Sequence, residues 1–444
     1  MRCFDLSTQP GERTMPNLRT STVLLLPALV IAGSCGAITG AQEATVDFVD
    51  SGQALGSNVS FSVALGDLDG DGDLDAMVAN WGGEPNIVWI NDGTGTFTDS
   101  GQALGNTFST SVALGDLDGD GDLDAMIANR NNPTSVWTND GTGTFTDSGQ
   151  ALGGDSKSRS VTLGDLDGDG DLDAVVANRN NPNTVWTNDG NGIFTDSEQA
   201  LGVDSSSYSV TLGDLDGDGD LDAMVANYGQ PNTVWTNDGN GTFTNSGQAL
   251  GGNSFSWAVR LGDLDGDGDL DAMVADYSTP NTVWTNDGDG ILTNSGQTLG
   301  NSFSTSVALG DLDNDGDLDA MITNNKQPNT VWTNDGNGTF ASNGQALGNA
   351  QSYSVALGDL DDDGALDAMV ANYDTPNTVW TNDSDPINDC PADFDGDGVV
   401  NGRDLAVFLN TWGSSNDIAD FNDDGQVDGQ DLEVILAAWG ACGE

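Results

Sequence analysis

The sequence predicts a mainly β protein: a closed ring of seven four-stranded sheets, followed by a small helical domain. Three observations carry this. A nine-residue acidic loop recurs seven times, beginning at Asp67, Asp116, Asp165, Asp214, Asp263, Asp311 and Asp359, 48 or 49 residues apart. Each period reads as short strands without helical periodicity. The last strand motif of the period occurs once before the first acidic loop and is missing after the seventh. A fixed period makes each copy one supersecondary unit that must stack on its neighbours to bury a core.

Taken in order, residues 1–41 read as an export signal, with Met15 as an alternative start. Arg13 and Arg19 precede an apolar run from Val23 to Ala32, and small residues lead to a cleavage point after Ala41. Ten apolar residues are too few to span a bilayer. Acylation at Cys35, after Ala32-Gly33-Ser34, is the second reading. Either way the chain is expected to be secreted or held at the cell surface. Signal removal leaves Cys390 and Cys442, and an even pair in an exported chain favours a disulfide.

Residues 44–386 hold the repeats. In the first, Val63-Ala64-Leu65 is a strand, the acidic loop follows, and Ala76-Met77-Val78-Ala79 is a second strand. Pro85 marks a turn, Ile87-Val88-Trp89-Ile90 is a third strand, and Asn91-Asp92-Gly93 is a tight hairpin turn. Thr96-Phe97-Thr98 starts a fourth, ending at Ala103-Leu104-Gly105. Four short strands per unit is the sequence form of a β-propeller blade.

The ends fix the count. Ser-Gly-Gln-Ala-Leu-Gly occurs first at Ser51–Gly56 and last, in variant form, at Asn343–Gly348. After the seventh loop, Thr378-Val379-Trp380 runs into Asn382-Asp383-Ser384-Asp385-Pro386 with no fourth strand. Val46–Gly56 is therefore expected to complete the last blade, closing a seven-bladed propeller and removing two sheet edges. The regular Trp89, Trp137, Trp186, Trp235, Trp284, Trp332 and Trp380 on third strands read as packing between blades.

Charge points to the chemistry. The chain has 10 Lys+Arg against 71 Asp+Glu, a net charge of −61, and no His. Five Asp sit in each acidic loop, on alternate positions in the first six and with Gly at the sixth position in all seven, the pattern that wraps oxygen ligands around a hard cation. Without one, carboxylates about 4 Å apart repel by roughly 1–4 kcal/mol per pair. Calcium suits such loops better than magnesium, which keeps its waters, or zinc, which wants nitrogen or sulfur. Nucleic acid is a poor partner, because no basic patch exists to replace phosphate counterions, and anionic membranes are disfavoured for the same reason.

The unit Ser-Val-Ala-Leu-Gly-Asp-Leu-Asp-Gly-Asp-Gly-Asp-Leu-Asp-Ala, followed by Trp-x-Asn-Asp-Gly, resembles the FG-GAP/VCBS repeat family over roughly residues 46–384, and the ring is similar to the integrin α-subunit propeller. The resemblance, with ligand geometry, implies carboxylates from loop positions 1, 3, 5 and 9 and a main-chain oxygen from position 7. In the first loop these are Asp67, Asp69, Asp71 and Asp75 with Asp73; in the second, Asp116, Asp118, Asp120 and Asp124 with Asp122. The third offers Asp165, Asp167, Asp169 and Asp173 with Asp171; the fourth, Asp214, Asp216, Asp218 and Asp222 with Asp220. The fifth offers Asp263, Asp265, Asp267 and Asp271 with Asp269; the sixth, Asp311, Asp313, Asp315 and Asp319 with Asp317. The seventh keeps Asp359, Asp361, Asp363 and Asp367 around Ala365, whose side chain cannot ligate.

Residues 387–444 change register. Asp393, Asp395, Asp397, Val399 and Asp404 fit a twelve-residue EF-hand loop, and Asp420, Asn422, Asp424, Gln426 and Asp431 a second, with Val399 and Gln426 at the main-chain position. Each runs into an apolar-periodic helix, Leu405–Trp412 and Leu432–Trp439, without an incoming helix. This pair resembles the dockerin type I repeat. The resemblance implies two further calcium sites beyond about seven in the propeller, and a cohesin-like partner. Docking or surface retention and a calcium-stabilised cap are both open readings of this tail.

The variable positions lie in the connections away from the acidic loops. After the second strands stand Trp81, Arg130, Arg179, Tyr228, Tyr277, Asn325 and Tyr373; six positions before each acidic loop stand Phe61, Thr110, Arg159, Tyr208, Trp257, Thr305 and Tyr353. Aromatic and basic groups on an acidic ring suggest a face for a polysaccharide or a surface protein. The candidate ligand residues are Trp81, Arg130, Arg159, Arg179, Tyr208, Tyr228, Trp257, Tyr277, Tyr353 and Tyr373; simple packing between blades is the alternative. Catalysis is not expected: His is absent and no unique carboxylate pair stands out. A carbohydrate-active enzyme component and a passive matrix protein are the other readings.

Overall fold

A computed structural model describes residues 46–154, 156–202, 206–300 and 303–382, and in the tail 392, 399–400, 402–412, 419, 421, 426–427, 429, 431–437 and 439–441. The expected signal, Met15, Cys35, Cys390, Cys442, Asp393, Asp395, Asp397, Asp420, Asn422, Asp424 and the side chains of Val399 and Asp404 lie outside the described residues.

Seven four-stranded antiparallel sheets make up residues 48–382. The first contains Val59–Gly66, Asp75–Trp81, Ile87–Asn91 and Phe97–Asp99, in that order from innermost to outermost. The seventh contains Ser352–Gly358, Asp367–Asn372 and Thr378–Asn382, and its fourth strand is Phe48–Asp50, with Phe48 opposite Asn382 and Asp50 opposite Trp380. The chain's two propeller ends thus share one sheet.

Burial explains the strand sequences. Second strands such as Asp222–Asn227 are buried at every position, because both faces of a blade's centre are covered. Small Ala alternates there with Met and Val, which lets neighbouring blades approach. Outer strands carry Ser, Gly, Gln and Asp because most of their positions face solvent.

The core lies between blades rather than within them. Leu55, Val63, Ala76, Trp89 and Phe97 pack with Leu360, Met369 and Val379, joining the first blade to the seventh. Equivalent clusters join other neighbours, and each third-strand Trp packs in or against one. Contact is closest where the Gly ending each first strand meets the Leu at position 8 of the next loop. A Cβ on Gly66 would fall 2.6 Å from Leu123, and one on Gly358 2.6 Å from Leu74.

One element differs from expectation. The fourth strand, expected to continue from Thr96 to Gly105, stops at Asp99, and Leu104 returns only as a single bridge to Asn86. Between them the Asp99 carboxylate accepts the Gly101 N–H at 2.8 Å, with Gly101 at φ 78°. The second blade has the same turn, with Asp147 accepting the Gly149 N–H at 2.8 Å, so the turn interrupts the ladder as a bulge does and the ladder can resume beyond it. In the second and third blades the strand continues to Leu152 and Leu201 across a register shift.

In the tail, helices span Gly402–Thr411 and Asp431–Ala437, close to the expected ranges, and Val399–Val400 pairs with Gly440–Ala441. Ala392, Val400 and Phe408 form a core with Ala419, Val427 and Ile435, each pair 27 residues apart. Among the described residues, no helix is long and apolar enough to cross a membrane.

Candidate metal loops and the aromatic mouth

Each acidic loop joins a first strand to a second, so all seven lie at the same end of their sheets. The Asp67 carboxylate accepts N–H bonds from Gly70 at 2.8 Å and Gly72 at 3.1 Å, curling the loop around itself. Asp71 accepts the Asp73 N–H at 3.0 Å. Gly72 sits at φ 101°, a conformation that excludes a Cβ, which explains the Gly at the sixth position. The Asp73 carboxylate is turned toward Gly93. Ala365 takes the equivalent place in the seventh loop with the same N–H bond, to Asp363 at 2.8 Å, so no side chain is needed there.

Position 9 has a second task that the sequence does not advertise. Asp75 is fully buried, and its two oxygens accept the N–H groups of Leu68 at 3.0 Å and Asn91 at 2.8 Å. It therefore ties the loop to the third strand of the same blade. Burial pushes its carboxyl up to about 6, against those N–H bonds and with help from Asp69 and Asp71. Burial likewise takes Asp319 and Asp367 to about 7.

The residues fit a hard cation. Ligand oxygens of Asp67, Asp69 and Asp71 lie within 4.8 Å of one another, as do those of Asp116, Asp118 and Asp124 and of equivalent triads in other blades. The Oδ1 atoms of Asp69, Asp118, Asp216, Asp265 and Asp313 are buried with no hydrogen-bond partner. A recurrent orphaned acceptor at position 3 is what an oxygen-binding ion would satisfy. In the tail, Asp431 is buried and Gln426 exposed.

Two polar belts that sequence reasoning missed hold neighbouring blades. The Asn of each Trp-x-Asn-Asp-Gly turn reaches back to the preceding acidic loop: Asn139 Nδ2 donates to the Leu68 carbonyl at 2.8 Å, Asn188 to Leu117, and Asn91 across the closure to Leu360, both also at 2.8 Å. Near the outer edge, Gln53 donates to the Gly95 carbonyl at 2.6 Å and accepts the Phe97 N–H at 2.9 Å. Gln345 does the same for the final blade, accepting the Phe48 N–H at 3.2 Å and donating to Asp47 at 2.6 Å. The available signal was the unbroken repetition of that Asn and that Gln.

At the opposite end of the sheets, all ten candidate ligand residues converge on the mouth of the central channel. Trp81 stacks on Phe61 with centroids 4.9 Å apart, and Phe61 lies 4.3 Å from Tyr353, which is 5.5 Å from both Tyr373 and Trp257. Trp257 stacks on Tyr277 at 4.9 Å and lies 5.2 Å from Tyr208, itself stacked on Tyr228 at 5.1 Å. The guanidinium of Arg159 lies 4.7 Å and that of Arg179 5.8 Å from the Tyr208 centroid; Arg130 lies 5.2 Å from that of Trp81. These are cation–π distances.

Comparison with known proteins agrees with this architecture. The FG-GAP-like repeat model matches six overlapping stretches, 67–127, 116–176, 165–225, 214–274, 263–322 and 311–370. No curated protein matches the chain. Among solved structures, BBS1N in complex with ARL6DN, soaked with mercury, superposes with a TM-score of 0.55 at 8% identity, covering 76% of this chain and 97% of that one. The lead-soaked form of the same complex gives 0.54 at 8% identity, covering 75% and 96%. At such identity the likeness concerns the fold alone.

Proposed function

This chain belongs to the FG-GAP-like repeat family, and from that premise we propose that it is a secreted or surface-held binding protein. Calcium at the seven acidic loops holds the propeller, and the aromatic mouth recognises a polysaccharide or a surface protein. The observation that carries this reading is the convergence of Trp81, Arg159, Tyr208, Trp257 and Tyr353, from separate blades, on one opening. Stacked aromatic faces beside guanidinium groups suit the apolar faces and polar edges of sugars.

Calcium is supported by the oxygen-only donor set and the orphaned position-3 oxygens. Asp67, Asp69, Asp71 and Asp75 with the Asp73 carbonyl would hold the ion in the first loop, and their equivalents in the others. The bound ion supplies positive charge and no reaction. The chain is read as a non-enzyme.

The tail is read as a dockerin-like docking or retention module with two further calcium loops, tied by a Cys390–Cys442 disulfide. Its helices and the residues just after them expose Val407, Leu409 and Trp412, and 27 residues later Val434, Leu436 and Trp439, between 37% and 56% exposed. A duplicated apolar surface of that kind suits a partner such as a cohesin-like domain. The test of the main reading is a glycan array probed in millimolar calcium with wild-type protein and Trp257→Ala. Binding lost in the variant is expected; binding unchanged in the variant would move the site away from the mouth.

A further inference from the structure

We propose that the mouth contains an oxyanion seat, so that its ligand is an acidic glycan bearing sulfate esters or carboxylates. This rests on the binding role assigned to the mouth above and narrows the ligand class. The basic groups are gathered in one sector. Arg130 and Arg179 follow the second strands of the second and third blades, and Arg159 lies in the first strand of the third. Lys157 sits between them, bridged through its main chain to Arg130 and accepting the Arg179 N–H at 3.0 Å.

Among the described residues these cations make no ion pair. Nε of Arg130, Arg159 and Arg179 is buried without a hydrogen-bond partner, and so is Nε1 of Trp257. All four unpaired atoms are donors. Burial, and beyond it the charges of Arg130 and Arg179, disfavour the charge on Arg159. Among the described residues, the wall of the cavity at the mouth holds Arg159 and Arg260 and no acidic residue, in a chain that carries 71. Half-buried like charges that have aromatic faces but no anion beside them gain most when an anion arrives to pair with them.

The cavity measures about 90 Å³, which has room for a carboxylate or sulfate group beside Arg159. Around it the aromatic rim, where Phe108, Phe255 and Phe303 are 36–44% exposed, offers faces for sugar rings.

The test is calorimetric titration of the full chain, in millimolar calcium at constant ionic strength, with galacturonate, sulfated galactose and neutral galactose tetrasaccharides. An acidic tetrasaccharide is expected to bind about tenfold or more tighter than the neutral one. That preference should collapse in Arg159→Gln/Arg179→Gln, or in Arg130→Gln should the double variant fail to melt like wild type. Preference for one acidic form alone would identify the group seated. Equal binding of neutral and acidic sugars would overturn the seat and leave the mouth's binding role standing. An acidic preference surviving in the variants would place the anion elsewhere and overturn it too. Binding of none of the three would overturn the seat together with the glycan reading.

Discussion

The two ends of the propeller obey opposite rules. At the acidic end, seven loops repeat almost residue for residue, and apart from Asn314 Nδ2 in the sixth their buried unpaired atoms are acceptors, Oδ1 of Asp69 and its equivalents. At the mouth, equivalent positions hold Trp81, Arg130, Arg179, Tyr228, Tyr277, Asn325 and Tyr373, and the buried unpaired atoms are donors. Repetition marks the end that serves the fold, since each blade meets the same neighbour. Variation marks the end free to recognise something asymmetric.

The largest expected effect comes from removing the cation. Sites filled at a thousandfold excess over Kd contribute about 4 kcal/mol each, so excess EDTA should lower the melting temperature by more than about 15 °C, and calcium should restore it. A melting curve indifferent to chelator would erase the distinction between the two ends.

A single-loop change sharpens it. Asp265→Ala should reduce the calcium stoichiometry by one and cost about 1–3 kcal/mol in saturating calcium. In excess EDTA the same change should be neutral or stabilising, because it removes repulsion among Asp263, Asp265 and Asp267. Calorimetry under both conditions checks the reversal of sign.

Asp276 tests the mouth end. Six blades place Asn there, whose amide donates to a proline carbonyl, as Asn227 does to Pro231 at 2.9 Å. The fifth blade has Asp276, 3% exposed, accepting from Ser256 at 2.8 Å. An ionised carboxylate has no hydrogen for Pro280. Burial raises Asp276 to about 6 from 3.8, against the Ser256 and Ser254 bonds. A raised acid stabilises the fold below its unfolded value, and that contribution is lost as pH rises from about 3.8 through about 6. Asp276→Asn should therefore stabilise by about 2–3 kcal/mol at pH 7 and by little near pH 4, as urea melts at the two pH values would show.

The smallest effect belongs to the basic sector. Arg159→Gln/Arg179→Gln should leave stability unchanged or raise it by up to about 1 kcal/mol, because half-buried like charges are removed. A loss of several kcal/mol would make these arginines supports of the fold.

Much of this was legible because the repeats are spaced evenly and their hydrophobic patterns are clean. The acidic loops, the strand order and the inter-blade place of Trp89 and its equivalents all follow from the period. The Asn and Gln belts did not, because Asn91 in a hairpin turn reads as a turn former whether or not its amide reaches Leu360. The structural task of Asp75 was hidden for a similar reason: a ligand and a strand anchor look alike in one letter. The gathering of Arg130, Arg159 and Arg179 is a fact of blade order, which a linear count of basic residues cannot display.

The shared final sheet has a consequence for biogenesis. Asp47 and its partner Asn382 are 335 positions apart, so the earliest strand to leave the ribosome must wait for nearly the latest. Until then its hydrogen-bonding edge stays open, and completion is a slow long-range event rather than a local one. A chain threaded outward in extended form would carry that unfinished edge with it and finish assembling only on the far side.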